Sequence, residues 1–231
     1  MALIRRAVPD DVPGIAAVVD DAFQEQIDQS YCRVLLSQRL NHVAVAVETS
    51  GEIAGFVSGF LTTDLEGLAR WEVDLLAVRT TSRGQRLAPQ LIEATWQDAL
   101  EYQANYARGF VRLDNHASQN SFARAGYETD EQHYGLYIWS GYDMSVAPQL
   151  DKMAHVNLIP VETLTYRGLW IEGLDMPDLT DSQRKDLVMA AQHQITQDKR
   201  DNTGAMVLDH TIAEQLGGEN VGVYQCWTKG W

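Results

Sequence analysis

The spacing of apolar residues changes period repeatedly along this chain, and each change predicts an element. Leu3 to Arg6 reads as a short strand, after which Asp10 or Asp11 is placed to cap a helix carrying Val12, Ile15, Ala16, Val19, Ala22 and Phe23 at helical intervals. A second helical stretch, about Ser30 to Leu40, precedes two β-rich runs, Val43 to Val47 and Ile53 to Leu61, joined by the hairpin signal Thr49-Ser50-Gly51-Glu52. Arg70 to Val78 reads as the next strand, and Ala88, Leu91, Ile92, Trp96 and Ala99 form an apolar stripe on the helix after it. Tyr106 to Leu113 returns to strand, a short helix through Ser121 and Phe122 stops at Gly126 in a left-handed cap, and Gln132 to Trp139 is a further β run. This order implies an α/β fold with one twisted, largely antiparallel sheet and helices on both faces.

A change follows near residue 145. Residues 146–162, with Pro148 and Pro160, read as a connector, and residues 163–231 as a smaller αβ region. In it Thr163 to Glu172 is strand-like, Thr180-Asp181-Ser182-Gln183 forms a capping box ahead of a helix to about Lys199, and Ala205 to Asp209 and Val221 to Thr228 are further strands. Met206-Val207-Leu208-Asp209 echoes Val111-Arg112-Leu113-Asp114, which suggests a degenerate half-copy of the first region, placed to cover one side of it or to form a homodimer contact. At the corresponding turn stands Asp175-Met176-Pro177-Asp178, whose carboxylates repel phosphate.

Composition narrows the function. A chain of 231 residues with 45% apolar content can bury a substantial core, and its net charge of −14 opposes nucleic-acid binding while favouring cationic partners. No apolar run approaches membrane-spanning length and no signal-peptide pattern opens the chain, so a cytoplasmic location without membrane association is expected. Cys32 and Cys226 stand far apart and read as buried thiols, and the six histidines show no ligand spacing, so no metal is expected.

Residues 75–92 run from an apolar strand through a basic, glycine-bearing turn into an amphipathic helix. Unpaired N–H groups at a helix start, reinforced by the macrodipole, make this turn a cradle for phosphate or pyrophosphate. Arg83-Gly84-Gln85-Arg86-Leu87-Ala88 resembles the acyl-CoA pyrophosphate loop of the GNAT N-acetyltransferases, with Arg86 where that pattern has its central glycine. Asn115 to Tyr127 resembles the family's later segment, an Asn, a short helix, then Gly and an aromatic; the aromatic seven positions after Asn115 is Phe122, where Tyr is common. The resemblance covers about residues 2–145 and implies a GNAT-like fold, acetyl-CoA as cofactor, and transfer of acetyl to a primary amine of a small molecule or peptide. It implies cofactor contacts from Leu76, Ala77 and Val78 on the strand, from Arg83, Gly84, Gln85, Arg86, Leu87 and Ala88 in the loop, and from Asn115, Ser118 and Phe122 beyond.

Strict alternation on strand 70–78 puts Glu72, Asp74, Leu76 and Val78 on one face, and Trp71, Val73, Leu75 and Ala77 on the other. Resemblance to the histone-type enzymes makes Glu72 the first expected general base and Asp74 the reserve; the alternative is two ordinary acids at a sheet surface. A backbone N–H near Leu76 and Ala77 is the oxyanion donor the family implies. Phe122 has no hydroxyl to protonate the leaving thiolate, which leaves that task to Tyr127, Tyr134, His116 or water, and leaves a non-catalytic acyl-CoA binding or sensing protein as the competing function. Phe122 itself also reads as a core aromatic pinning the short helix.

Overall fold

The computed structural model describes residues 2–37, 41–140, 156–198 and 200–230. Its first part runs β1 (Leu3–Arg6), α1 (Val12–Phe23), α2 (Gln29–Ser37), β2 (Asn41–Val47), β3 (Ile53–Thr63), β4 (Ala69–Val78), α3 (Leu87–Glu101), β5 (Tyr106–Arg112), α4 (His116–Arg124), β6 (Glu128–Thr129) and β7 (Tyr134–Trp139). The second runs β8 (Asn157–Glu162), β9 (Arg167–Glu172), α5 (Asp181–Asp198), β10 (Thr203–Val207), α6 (His210–Gln215) and β11 (Glu219–Gly230). The expected connector 146–162 therefore ends in a strand; its residues 146–155 lie outside the described residues. Neither β8 nor α6 has a counterpart in the sequence reading.

All strands join one sheet in the order β1-β2-β3-β4-β5-β11-β7-β10-β9-β8, with β6 pairing β11. About the β11–β7 pair, β5, β4 and β3 on one side correspond to β10, β9 and β8 on the other, and β1 and β2 extend the first side alone. In the first half β3 and β4 are antiparallel, α3 crosses over, and β5 returns parallel to β4. In the second half β8 and β9 are antiparallel, α5 crosses over, and β10 returns parallel to β9. The halves exchange strands: β11, at the end of the second, pairs with β5, and β7, at the end of the first, pairs with β10. A boundary at 145–163 thus divides the chain but not the sheet.

Helices cover both faces. Against one, α3 and α4 bury Leu87, Leu91, Ile92, Trp96 and Phe122 with Trp71, Val73 and Val57. Against the other, α1 and α2 bury Val12, Ile15, Val19, Cys32 and Leu35 with Val45, Phe56 and Ala77. Leu164, between β8 and β9, enters this second cluster, and the Arg167 guanidinium lies 5.0 Å from the centre of the Tyr31 ring, so the hairpin of the second half packs onto α2 of the first. Asp11 does not cap α1 through its side chain; its carboxylate takes the Arg5 guanidinium at 2.6 and 2.8 Å and the Val8 N–H at 2.8 Å. Gly126 does take the left-handed conformation expected of it, at φ +81°. Both cysteines are free and buried.

Candidate active site

Strands β4 and β5 pair only over Arg70–Glu72 against Tyr106–Arg108, and beyond Glu72 they diverge. The divergence coincides with a bulge. Gly59 faces Val73 and Val57 faces Leu76, so Asp74 and Leu75 together oppose Ser58. The extra residue corrects the alternation expected from sequence: Leu76 and Val78 pack on the α3 side with Trp71 and Val73, whereas Leu75 and Ala77 turn to the α1 side. It also aims backbone donors. Arg79 N–H bonds Ala54 O (2.8 Å) and Leu75 N–H bonds Ser58 Oγ (3.1 Å), both on the β3 side, so alternation turns the N–H groups of Leu76 and Val78 into the gap. Ala77 faces β3 instead.

At the end of the gap lies a cleft of about 470 Å³, lined by Leu76, Ala77 and Val78 of β4, by Arg83, Gly84, Arg86, Leu87 and Ala88 at the start of α3, and by Asn115 and Ser118 at the start of α4. Two expected cofactor residues do not line it. Gln85 is exposed at the turn, and Phe122 is 4% exposed, with its ring over Gly109, where a Cβ would come within 2.6 Å, and beside Tyr127 and Trp227. Phe122 fills core; the family-like tyrosine position faces inward here. The cleft also has walls that the sequence reading lacked: Ala22 and Phe23 at the end of α1, Ser82, Pro89, and Ala117, Ser121 and Arg124 on α4. The α4 set recurs at intervals of four and three, one helix face, and was legible once the helix was placed. The α1 pair is brought in by tertiary packing alone.

The loop is tied down at its entry. Thr80 N–H bonds Asp21 Oδ2 at 2.6 Å and Ser82 Oγ donates to Glu48 at 2.7 Å, pinning its entry to α1 and to the end of β2. Gly84 sits at φ +80°, a conformation only glycine takes without strain. Arg86 is the N-cap of α3 at φ +59°, ψ +30°, so it stands in the left-handed region just outside the helix, a conformation that favours glycine. No side chain caps α3, which leaves its first N–H groups directed at the cleft beside Arg83 and Arg86. These residues fit a pyrophosphate: a left-handed turn, an uncapped helix start and local positive charge in an acidic chain. Asn115 caps α4, its side-chain oxygen accepting the Ser118 N–H at 3.1 Å.

The two expected bases have opposite environments. Glu72 is 3% exposed; its Oε1 accepts from Arg70 (2.6 Å) and Arg108 (2.7 Å), and both guanidiniums also hold Glu172 of β9, at 2.8 and 3.0 Å. Burial opposes ionisation of Glu72, but Arg108 and Arg70 outweigh it and hold the carboxyl below the usual range. Asp74 is half-buried, and burial pushes its carboxyl up to about 6, against the hydrogen bonds of Ser58 and Thr163 and with help from the neighbouring charge of Glu72. Ser58 Oγ donates to Asp74 at 3.1 Å. Of the two, Glu72 is the carboxylate tied into ion pairs and Asp74 the one whose carboxyl is raised. Of the expected proton donors, Tyr127 lies in the core with its hydroxyl pushed up by burial, Tyr134 donates to Asp130 at 2.6 Å, and His116 pairs with Gln119 at 3.2 Å on the exposed start of α4.

Among the described residues no group of three or more His, Cys, Asp or Glu is placed to hold a metal ion, and no helix is long and apolar enough to cross a membrane.

Comparison with known proteins places this geometry. Residues 13–127 match the model of the Acetyltransferase (GNAT) family. The L-2,4-diaminobutyric acid acetyltransferase of Halomonas elongata is 32% identical over 123 residues, which are 52% of this chain and 62% of that protein. The chain thus spans less than two thirds of that relative. Two solved structures align with 99% of this chain, second half included: a GCN5-related N-acetyltransferase from Sphaerobacter thermophilus (TM-score 0.59, 11% identity, 95% of that chain) and a fungal multi-domain β-N-acetylglucosaminidase with a GCN5-related glucosamine N-acetyltransferase region (TM-score 0.65, 14% identity, 38% of that chain). At such identity they speak for the fold alone. Residues 13–127, which carry the splayed strands, the left-handed turn and the uncapped helix, belong to the acetyltransferase (GNAT) family.

Proposed function

We propose that this protein transfers an acetyl group from acetyl-CoA to a primary amine, with Asp74 as the general base. The observation that carries the proposal is the carboxylate of Asp74, half-buried, with a pKa of about 6, where β4 parts from β5. Acetyl-CoA, when bound, supplies a thioester carbonyl as acyl donor. Arg83, Gly84, Arg86, Leu87 and Ala88 would hold its pyrophosphate, and the Leu76 N–H is the donor available to a carbonyl oxygen in the gap.

An alkylammonium must lose a proton before it attacks, since its pKa is near 10.4. Asp74, ionised at neutral pH, accepts that proton as the carbon–nitrogen bond forms and the carbon–sulfur bond breaks. The products are an amide and free CoA, whose thiolate is protonated from solvent. With a thiol pKa of about 8.5 this leaving group departs without a dedicated acid, so a buried Phe122 is compatible with turnover. The relatives named diaminobutyric acid acetyltransferases support a small diamino compound as acceptor.

The test is release of free thiol from acetyl-CoA across a panel of amines. Amine-dependent release that falls on Asp74→Asn supports the proposal. A thermal shift with acetyl-CoA but no release with any amine would refute it and favour a sensor.

A further inference from the structure

We infer that the second half of the chain builds the acceptor site: the amine is held in the seam between the halves, and the substrate is a small aliphatic diamine rather than a peptide. This rests on the acetyl-transfer reading. The seam contains a pocket of about 150 Å³ whose walls come from both halves, with Leu65, Phe110 and Tyr134 on one side and Trp170, Glu172 and Asp175 on the other. Arg108 lines it as well, and ties the pocket to the ion network by pairing with both Glu72 and Glu172. Asn157 Nδ2 donates to Asp64 O at 2.8 Å and so ties β8 to the β3–β4 loop that carries Leu65.

Register connects this pocket to the base. Glu72 pairs with Arg108 at the last bonded position, and two residues on, Asp74 of β4 and Phe110 of β5 flank the gap that opens there. Phe110 lines the pocket, edge-on to Tyr134 at 5.4 Å between centroids. A molecule in the seam therefore reaches the mouth of the gap from the side opposite the CoA cleft.

Chemistry and size specify the guest. Arg70 and Arg108 are balanced by Glu72 and Glu172, so Asp175 leaves the surroundings with one negative charge in excess. Aromatic rings of Phe110, Tyr134 and Trp170 add faces that attract an ammonium. At about 30 Å³ per water, the volume holds on the order of five small groups, enough for a short chain with an amine at each end. One amine would meet Asp74 while the other, as ammonium, stays at the acidic and aromatic end.

Calorimetry on the full chain with saturating CoA tests this, using L-2,4-diaminobutyrate, 1,4-diaminobutane and a tripeptide as ligands. Two variants fill the pocket from opposite walls, Leu65→Trp and Met176→Trp. Wild type is expected to bind one or both diamines, each variant to weaken that binding at least tenfold, and the acetyl-CoA thermal shift to stay as in wild type. In wild type, proton NOEs from bound 1,4-diaminobutane or diaminobutyrate to the Phe110 and Tyr134 rings are expected, a readout that does not depend on the variants folding. The inference is overturned if wild type binds neither diamine, if binding in folded variants stays within twofold, if the NOEs are absent, or if the tripeptide binds more tightly. Diamine binding in the pocket without thiol release would sink the transfer reading alone; thiol release insensitive to both variants would sink the pocket alone.

Discussion

Two helices in this chain start where a pair of parallel strands begins to part, α3 after β4 and α5 after β9, and only the first start is open to an anion. At α3 the turn carries Gly84 and Arg86 in left-handed conformations, the helix has no side-chain cap, and the gap beside it stays open. At α5 the same functions are turned inward. Thr180 Oγ accepts from Gln183 N–H (3.3 Å) and Gln183 Oε1 accepts from Thr180 N–H (2.8 Å), closing a capping box. The Arg184 guanidinium donates to Leu174 O and Met176 O, and Asp175 Oδ2 accepts the Leu208 N–H at 2.6 Å across the mouth of the second gap. A helix start that satisfies these groups internally gains stability and has no free donors left to offer an anion. The lesson is that repeated topology does not repeat a site; unsatisfied donors do.

The largest effect should separate the two carboxylates of β4. Asp74→Asn is expected to lower kcat by about 10² to 10⁴-fold with the acetyl-CoA affinity retained. In wild type, kcat/KM for the amine should rise with pH through about 6, as Asp74 ionises, in a pH–rate profile corrected for the amine's own ionisation. Stability has the opposite sign. A carboxyl raised in the folded state stabilises the fold at pH values below its unfolded pKa and loses that contribution as pH rises through about 6. Asp74→Asn should therefore raise the melting temperature at pH 7.5, with the gain shrinking toward pH 4. A melting temperature that falls at pH 7.5 would show that Asp74 is a structural ion.

Glu72→Gln addresses the seam. It leaves two guanidiniums sharing one carboxylate in a buried network, which costs about 3–5 kcal/mol of stability, read by denaturant unfolding. The pH at which turnover half-falls should stay near that set by Asp74. Equal loss of turnover in Glu72→Gln and Asp74→Asn, in folded protein, would restore Glu72 as base.

Thr180→Ala removes the cap that distinguishes α5 from α3. Its expected cost is about 0.5–2 kcal/mol, with no change in acetyl-CoA affinity, because the second helix start holds no ligand. A change in CoA affinity would break the contrast between the two starts.

Much of the fold was legible because its evidence is local. The helical stripes of α1 and α3, the glycine turn at Gly51 and the Thr180–Gln183 capping box announce themselves within a few residues. The left-handed turn ahead of α3 was legible for the same reason, through Gly84. What the sequence hid depends on pairing between distant segments. A bulge is decided by two strands, so strict alternation put Leu76 and Val78 on the wrong face. The role of Glu72 is set by Arg108, 36 residues away, and by Glu172 from the other half. Strand exchange between β7 and β11 left no local trace either, since a strand's neighbours are not written in its own residues. The conformation of Arg86 was hidden differently: an arginine after a turn looks like the first residue of a helix until its φ is seen.

That residue gives the smallest and most diagnostic prediction. Arg86 holds φ +59° at the start of α3, a conformation that costs a non-glycine residue about 1–2 kcal/mol, while the glycine that relieves it costs about 0.5–1 kcal/mol of unfolded-state entropy. Arg86→Gly should therefore stabilise the protein by about 0.5–1 kcal/mol, an increase in melting temperature of about 1–4 °C for a chain of this size. It should also weaken CoA binding about threefold at low salt and less at high salt, because the exposed guanidinium acts by screened attraction. If stability rises while affinity falls, Arg86 trades backbone strain for charge at the pyrophosphate site. If stability rises and affinity is unchanged at every salt concentration, the cradle works through backbone amides alone, and the difference between α3 and α5 reduces to which helix start is capped.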